Sequence, residues 1–187
     1  MSGYTAVAMP PQWPRLGGVF LLAAAGGVVH AQTFSEGFDD VAGLPSIGWA
    51  IINQSNPNPA SSTSVFQGNF NGGFNQPPPV FSGHGGERDS YAAMNYNSTG
   101  SGGTISTWLI SPELDFANGD FFSFFSRTVA NPQYPDRLEV RVSYAGASVN
   151  VGDSELSAGV FSTLLLTIND GLTTTGYPSE WTEFGGL

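Results

Sequence analysis

The chain has 187 residues, 15 acidic against 5 basic side chains, a formal net charge of −10, no cysteine, 25 glycines and 13 prolines. All five basic residues are arginine, which excludes a Walker-type phosphate loop, a Schiff-base lysine and a lysine-rich nucleic-acid surface. The lack of cysteine removes thiol catalysis, disulfides and cysteine-based metal sites, while 14 Phe, 6 Tyr and 4 Trp supply ample material for a core.

The first feature in chain order is a leader pattern. Arg15 precedes an apolar run over 16–29, and Val29 and Ala31 put small residues at the minus-three and minus-one positions of a cleavage site before Gln32. Fourteen helical residues reach only about 21 Å, short of the roughly 30 Å hydrocarbon layer. The expectation is a signal peptide over 1–31, export to the medium or a bacterial cell surface, and no transmembrane helix in 32–187. The exported part has the length of one domain. Its acidic surface disfavours nucleic acid and attracts divalent cations.

No segment repeats apolar residues at three and four over several turns, whereas short alternating or aromatic runs bounded by Gly, Pro, Asn and Ser recur throughout. Strands are expected over 33–38, 49–53, 64–67, 90–96, 104–110, 113–116, 120–129, 137–144, 160–168 and 180–184. The reading is all-β, a sandwich. In 137–144, Leu138, Val140, Val142 and Tyr144 share one face and Arg137, Glu139, Arg141 and Ser143 the other, the period of a half-buried strand. In 120–129, Phe121 and Phe125 oppose Phe122 and Phe124, so both faces are apolar and the strand is expected to be central. Asn118-Gly119 accepts positive φ at both turn positions, which predicts a tight hairpin between 113–116 and the strand from Asp120.

Residues 53–89 form the irregular part, too rich in proline and asparagine to enter a ladder throughout. Its length marks it as a functional loop, an insertion or a locally disordered segment. The apolar island Val65-Phe66 is expected to pin it to the sheet.

The ordered strings Glu36-Gly37-Phe38-Asp39, Gly48-Trp49, Phe66-Gln67-Gly68-Asn69, Ser90-Tyr91-Ala92-Ala93, the run from Thr104 through Trp108 to Pro112, Tyr134-Pro135-Asp136-Arg137-Leu138-Glu139-Val140-Arg141, and Tyr177-Pro178 with Trp181-Thr182 together resemble the choice-of-anchor J domain, related to cleaved-adhesin domains. The resemblance covers 33–184. It implies a jelly-roll β-sandwich on a secreted or surface-anchored bacterial protein, adhesin-like or carbohydrate-binding relatives, and often a calcium ion at the sandwich edge. Family members continue past the Trp-Thr strand, so the sandwich is expected to lack its C-terminal strands.

Candidate metal ligands are Glu36, Asp39 and Asp40 at the start of the first expected strand and Asp89 at the close of the long loop, because calcium takes six to eight hard oxygens. A solvated acidic turn is the plainer alternative. His84, the one histidine outside the leader, lies among glycines in Ser82-Gly83-His84-Gly85-Gly86 and reads as an exposed loop residue rather than a base held for catalysis. Glu139 beside Arg141 reads as a surface charge pair, and Asp136-Arg137 as a turn with its own ion pair. Trp49 and Trp108 are expected in the core. Tyr91, Tyr96 and Tyr134 border loops and are the candidate ligand-binding residues. The expected function is a non-catalytic module for adhesion or for binding an extracellular glycan or protein, calcium being a structural ion. An accessory domain of a secreted hydrolase and an envelope protein without ligand are the alternatives.

Overall fold

The computed structural model describes residues 4–8, 34–59, 61–68, 80–116 and 119–186. The strands are β1 (Tyr4–Ala8), β2 (Ala50–Asn53), β3 (Phe66–Gln67), β4 (Ala92–Asn95), β5 (Thr107–Ile110), β6 (Phe122–Arg127), β7 (Leu138–Val142), β8 (Thr163–Ile168) and β9 (Thr182–Gly186), with short 3-10 helices at Val41–Ile47 and Tyr96–Ser98. The fold is all-β. No helix among the described residues is long and apolar enough to cross a membrane.

Strands β3, β4, β1, β6 and β9 form a five-stranded sheet in that order, β2 pairs with β5, and β7 pairs with β8; every pairing is antiparallel. The doubly apolar pattern of β6 is answered by its position between β1 and β9. Phe124 faces a cluster with Ile168 and Tyr177, joined by Phe122, Leu138, Val140, Leu166 and Phe184. On the opposite face, Phe125 lies under the 80–90 loop. Alternation along β7 holds as far as Val140: Leu138 and Val140 pack inward and Glu139 is exposed, whereas Tyr144, expected on the same face, lies beyond the strand and is 86% exposed. A bulge between Val140 and Arg141 shifts the register to β8.

A second cluster gathers Phe38, Val41, Leu44, Trp49 and Ala92 with Phe34, Ile51, Val65 and Leu109. A third holds Phe81, Tyr91 and Ala93 with Phe66, Val80, Val129 and Trp181. The island Val65-Phe66 therefore pins the long loop as expected, one residue to each cluster. Consecutive strand residues point to opposite faces, so Ala92 and Ala93 serve different clusters in the same way. Trp49 is buried, and Trp108 is half-buried with its ring 5.6 Å from Phe161.

Several expectations are corrected. Residues 33–38 do not form a strand among those described. The chain there turns, with Phe38 at φ 58° and its N–H donating to the Glu36 carboxylate at 2.8 Å. A 3-10 helix follows, capped by Asp40, which accepts from Gly43 N at 3.0 Å, and closed by Gly48 at φ 94°. Residues 113–116 are in no strand either. The hairpin they were expected to make with β6 is displaced because both edges of β6 are already taken by β1 and β9, while Phe116 stays exposed. Asn118 lies outside the described residues. Strand β1 falls inside the segment read as a leader; its apolar run over 16–29 and the cleavage position at 31–32 lie outside the described residues.

Candidate binding surface

The 80–90 loop folds over the open face of β6 and β9 and builds an aromatic and cationic patch. Its anchor is the Trp181 indole, whose N–H donates to the Ser82 carbonyl at 2.8 Å. Phe81 packs edge-on to Trp181 at 5.7 Å and lies 5.0 Å from the Tyr91 ring. His84 stacks on Phe125 with ring centroids 3.6 Å apart and planes within 14°, and meets Trp181 edge-on at 6.2 Å. Arg127, two residues along β6 from Phe125 and hence on the same face, sets its guanidinium 4.5 Å from the Phe81 centroid and 6.0 Å from that of Trp181.

Arg127 is held from both ends. Its guanidinium donates to the Ser179 carbonyl and to Thr128 O, and pairs with Glu180 at 3.5 Å. Burial lowers its pKa, opposed by the Glu180 carboxylate and by Tyr91; it remains cationic because a guanidinium titrates far above neutral pH. The cation and the rings reinforce one another, since an arginine over aromatic faces is attracted by the ring quadrupole. His84 is exposed, as its glycine neighbours suggest. Its ring is nonetheless oriented by Phe125 and Trp181, a constraint from across the sheet that local composition does not contain.

The acidic candidates meet a different arrangement. The Gln67 amide ties three segments together: its oxygen accepts from Val41 N at 2.8 Å, and its nitrogen donates to Phe38 O at 2.8 Å and Asp89 O at 2.5 Å. Ser90 Oγ donates to the Asp39 carboxylate at 2.5 Å. Gly68 follows directly, and a Cβ there would overlap the Tyr91 ring, so glycine is required by close approach. Glu36 and Asp40 each accept from a backbone N–H, as described above. Asp89 contributes its carbonyl to the knot. No three or more of the described acidic and histidine residues come together in a way that could hold a metal ion. The oxygens gathered at the knot are the Phe38 and Asp89 carbonyls and the Asp39 carboxylate, each engaged by a Gln67 or Ser90 donor.

Of the three tyrosines, Tyr91 is 1% exposed and its hydroxyl donates to the Phe81 carbonyl at 3.3 Å, so it supports the patch from beneath and offers no surface. Tyr96 and Tyr134 are 36% and 45% exposed. Tyr91 and Tyr96 bracket β4, about 16 Å apart along the strand, and thus do not form one platform. The Glu139–Arg141 pair is present at 2.7 Å. Arg137, however, pairs with Glu139 at 3.6 Å, and the neighbouring Asp136 carboxylate accepts from Thr128 Oγ1 at 2.8 Å. Glutamate on β7 thus bridges both arginines.

Sequence reasoning left Trp181 open between a stacking platform and a core anchor, and missed Phe125 and Arg127 as surface-building residues. The available signal was the alternation in 120–129, which already put Phe125 opposite Phe124. What was lacking was the partner that covers it. No family model, curated protein or solved structure matches the chain at a significant level.

Proposed function

We propose that this chain is an exported, non-catalytic jelly-roll-like β-sandwich module, related to the choice-of-anchor J domains, that binds an extracellular glycan or protein through the 80–90 loop. The observation that carries the reading is the exposed His84 ring stacked on Phe125 and braced edge-on by Trp181, over which the Arg127 guanidinium lies. A ring with one face packed and its edge in solvent is a ready stacking partner for a sugar face or a planar side chain, and its orientation is fixed before the ligand arrives, which reduces the entropy lost on binding. Exposed Glu87, Arg88 and Asp89 flank it and supply polar groups for orientation. The ordered motif strings support the family assignment, and the leader pattern supports export.

The test is a glycan array and a binding titration on the best hit. His84→Ala is expected to change stability by no more than about 0.5 kcal/mol, as an exposed loop substitution, while lowering affinity at least tenfold. Equal affinity of the variant and the parent would overturn the reading.

Calcium belongs to this proposal only as a stabilising ion at the Phe38–Asp39 and Asp89–Ser90 knot, where it would replace the Gln67 and Ser90 donors and recruit further oxygens. Added calcium is then expected to raise the melting temperature and a chelator to lower it. A melting temperature indifferent to both discards the ion.

A further inference from the structure

The five-stranded sheet has an unusual filler. Its central strand, β1, comes from residues 4–8, inside the segment read as an export leader, and is separated in sequence from both of its neighbours by more than eighty residues. It pairs with β4 through Tyr4↔Asn95, Thr5↔Met94, Ala6↔Ala93 and Val7↔Ala92, and with β6 through Ala6↔Arg127, Val7↔Ser126 and Ala8↔Phe125. Two strand spacings set β4 and β6 about 9.5 Å apart, one strand too far to pair with each other.

We propose that the gap between β4 and β6 is a strand-accepting slot, that β1 is its placeholder in the unprocessed chain, and that in the exported protein it takes an uncharged extended peptide of another polypeptide, antiparallel to both walls. This rests on the reading of 1–31 as a cleaved leader, since cleavage is what empties the slot. Three observations define the occupant. The slot is held here by Tyr-Thr-Ala-Val-Ala, five residues without a charge. The wall residues paired with the C-terminal half of that segment include the small, buried Ala92 and Ala93 on β4 and Ser126 on β6, with Phe125 and Arg127 beside Ser126 and with Met94 and Asn95 at the other end of β4. Both walls are anchored on their far sides, β4 by β3 and β6 by β9, so the gap persists as an open pair of edges once the filler leaves. Each edge then carries backbone N–H and C=O groups that had partners, in the middle of a sheet rather than at its rim. Unmet backbone groups at such a position favour capture of a strand by main-chain hydrogen bonds, with side-chain size read at alternate positions.

The test uses the full chain carrying Val7→Pro. In a central strand every N–H is engaged in one ladder or the other, so proline at this position evicts β1 without touching either wall. A labelled peptide spanning residues 2–10 is expected to bind this variant saturably and to raise its melting temperature, to leave the parent chain unbound, and to lose binding when it carries the same proline. A folded Val7→Pro chain that ignores the peptide overturns the proposal. So does a Val7→Pro chain that dimerises without peptide, because the slot would then belong to a second copy. Should the variant not fold, the full chain with Ala6→Cys and Ala93→Cys decides: the chain has no other cysteine, the two positions are direct partners, and an oxidative cross-link is expected. Its failure to form overturns the seat of β1 and the slot with it. The mass of the exported protein separately reports on the leader. A start at Gln32 supports it; a retained N-terminus removes that reading, whereas the peptide titration still reports on the slot.

Discussion

The two faces of β6 share one backbone and bury their residues in opposite ways. Toward β7 and β8, Phe122, Phe124 and Ser126 meet other rings, aliphatic side chains and the Tyr177 hydroxyl, which lies 2.6 Å from Ser126 Oγ. Phe124 stacks with Phe122 and Phe184 at 6.3 and 5.8 Å. Toward the 80–90 loop, Phe125 and Arg127 meet an imidazole, an indole and a glutamate, with solvent at hand. A closed face lined with hydrocarbon sets stability, because its packing leaves no way to relax a loss. A half-open face closed by a loop tolerates change and can present groups outward.

Substitutions on the two faces should separate these roles. Phe124→Ala removes a ring that is 5% exposed and is expected to cost about 3–5 kcal/mol, read as a lowered midpoint in urea. A cost under about 1 kcal/mol would mean that the two faces do not differ. Arg127→Ala on the open face loses the Ser179 carbonyl bond, the Glu180 pair and the ring contacts, an expected cost of about 2–3 kcal/mol. Arg127→Lys should recover less than half of that, since an ammonium lacks the planar fork that serves Ser179 O and the rings together. Full recovery by lysine would reduce the open face to a simple charge pair.

The smallest effect is at Tyr177, and it is pH-dependent. Burial raises the phenol pKa well above its ordinary value of about 10, the Asp136 carboxylate adds to the rise, and the Ser126 hydroxyl opposes it. The unfolded phenol therefore ionises first as pH rises past about 10. The stability associated with keeping this group neutral is complete below that pH and is lost progressively above it. Tyr177→Phe is expected to cost about 1 kcal/mol at neutral pH, through the buried Ser126 hydroxyl that loses this partner, and to flatten the alkaline fall in melting temperature between pH 9 and 11. An unchanged alkaline limb would place the sensitivity elsewhere.

Much of the fold was legible in residue order. Eight of the expected strands have counterparts because alternation and paired-face runs depend on near neighbours: β7 shows Leu138 and Val140 inward, and β6 shows apolar side chains on both faces. The two expectations that failed, at 33–38 and 113–116, concern segments whose conformation is set by a distant partner. Gln67 and Ser90 hold the chain around Phe38 and Asp39, and β1 with β9 exclude 113–116 from the edge of β6. The candidate site was legible only in part. His84 was correctly read as exposed, yet its stacking on Phe125 depends on a contact across 41 positions, and Tyr91 proved to be buried support.

Composition and periodicity were sufficient for the all-β class, the absence of lysine and thiol chemistry, and the two-sided character of β6, because these follow from side-chain type and from the two-residue repeat of a strand. Folding in three dimensions decided which strand fills the centre of the sheet, which carboxylates are engaged by backbone N–H groups, and which aromatic residues gather around Arg127. Those outcomes depend on meetings between residues far apart in the chain, and short-range pattern carries no record of them.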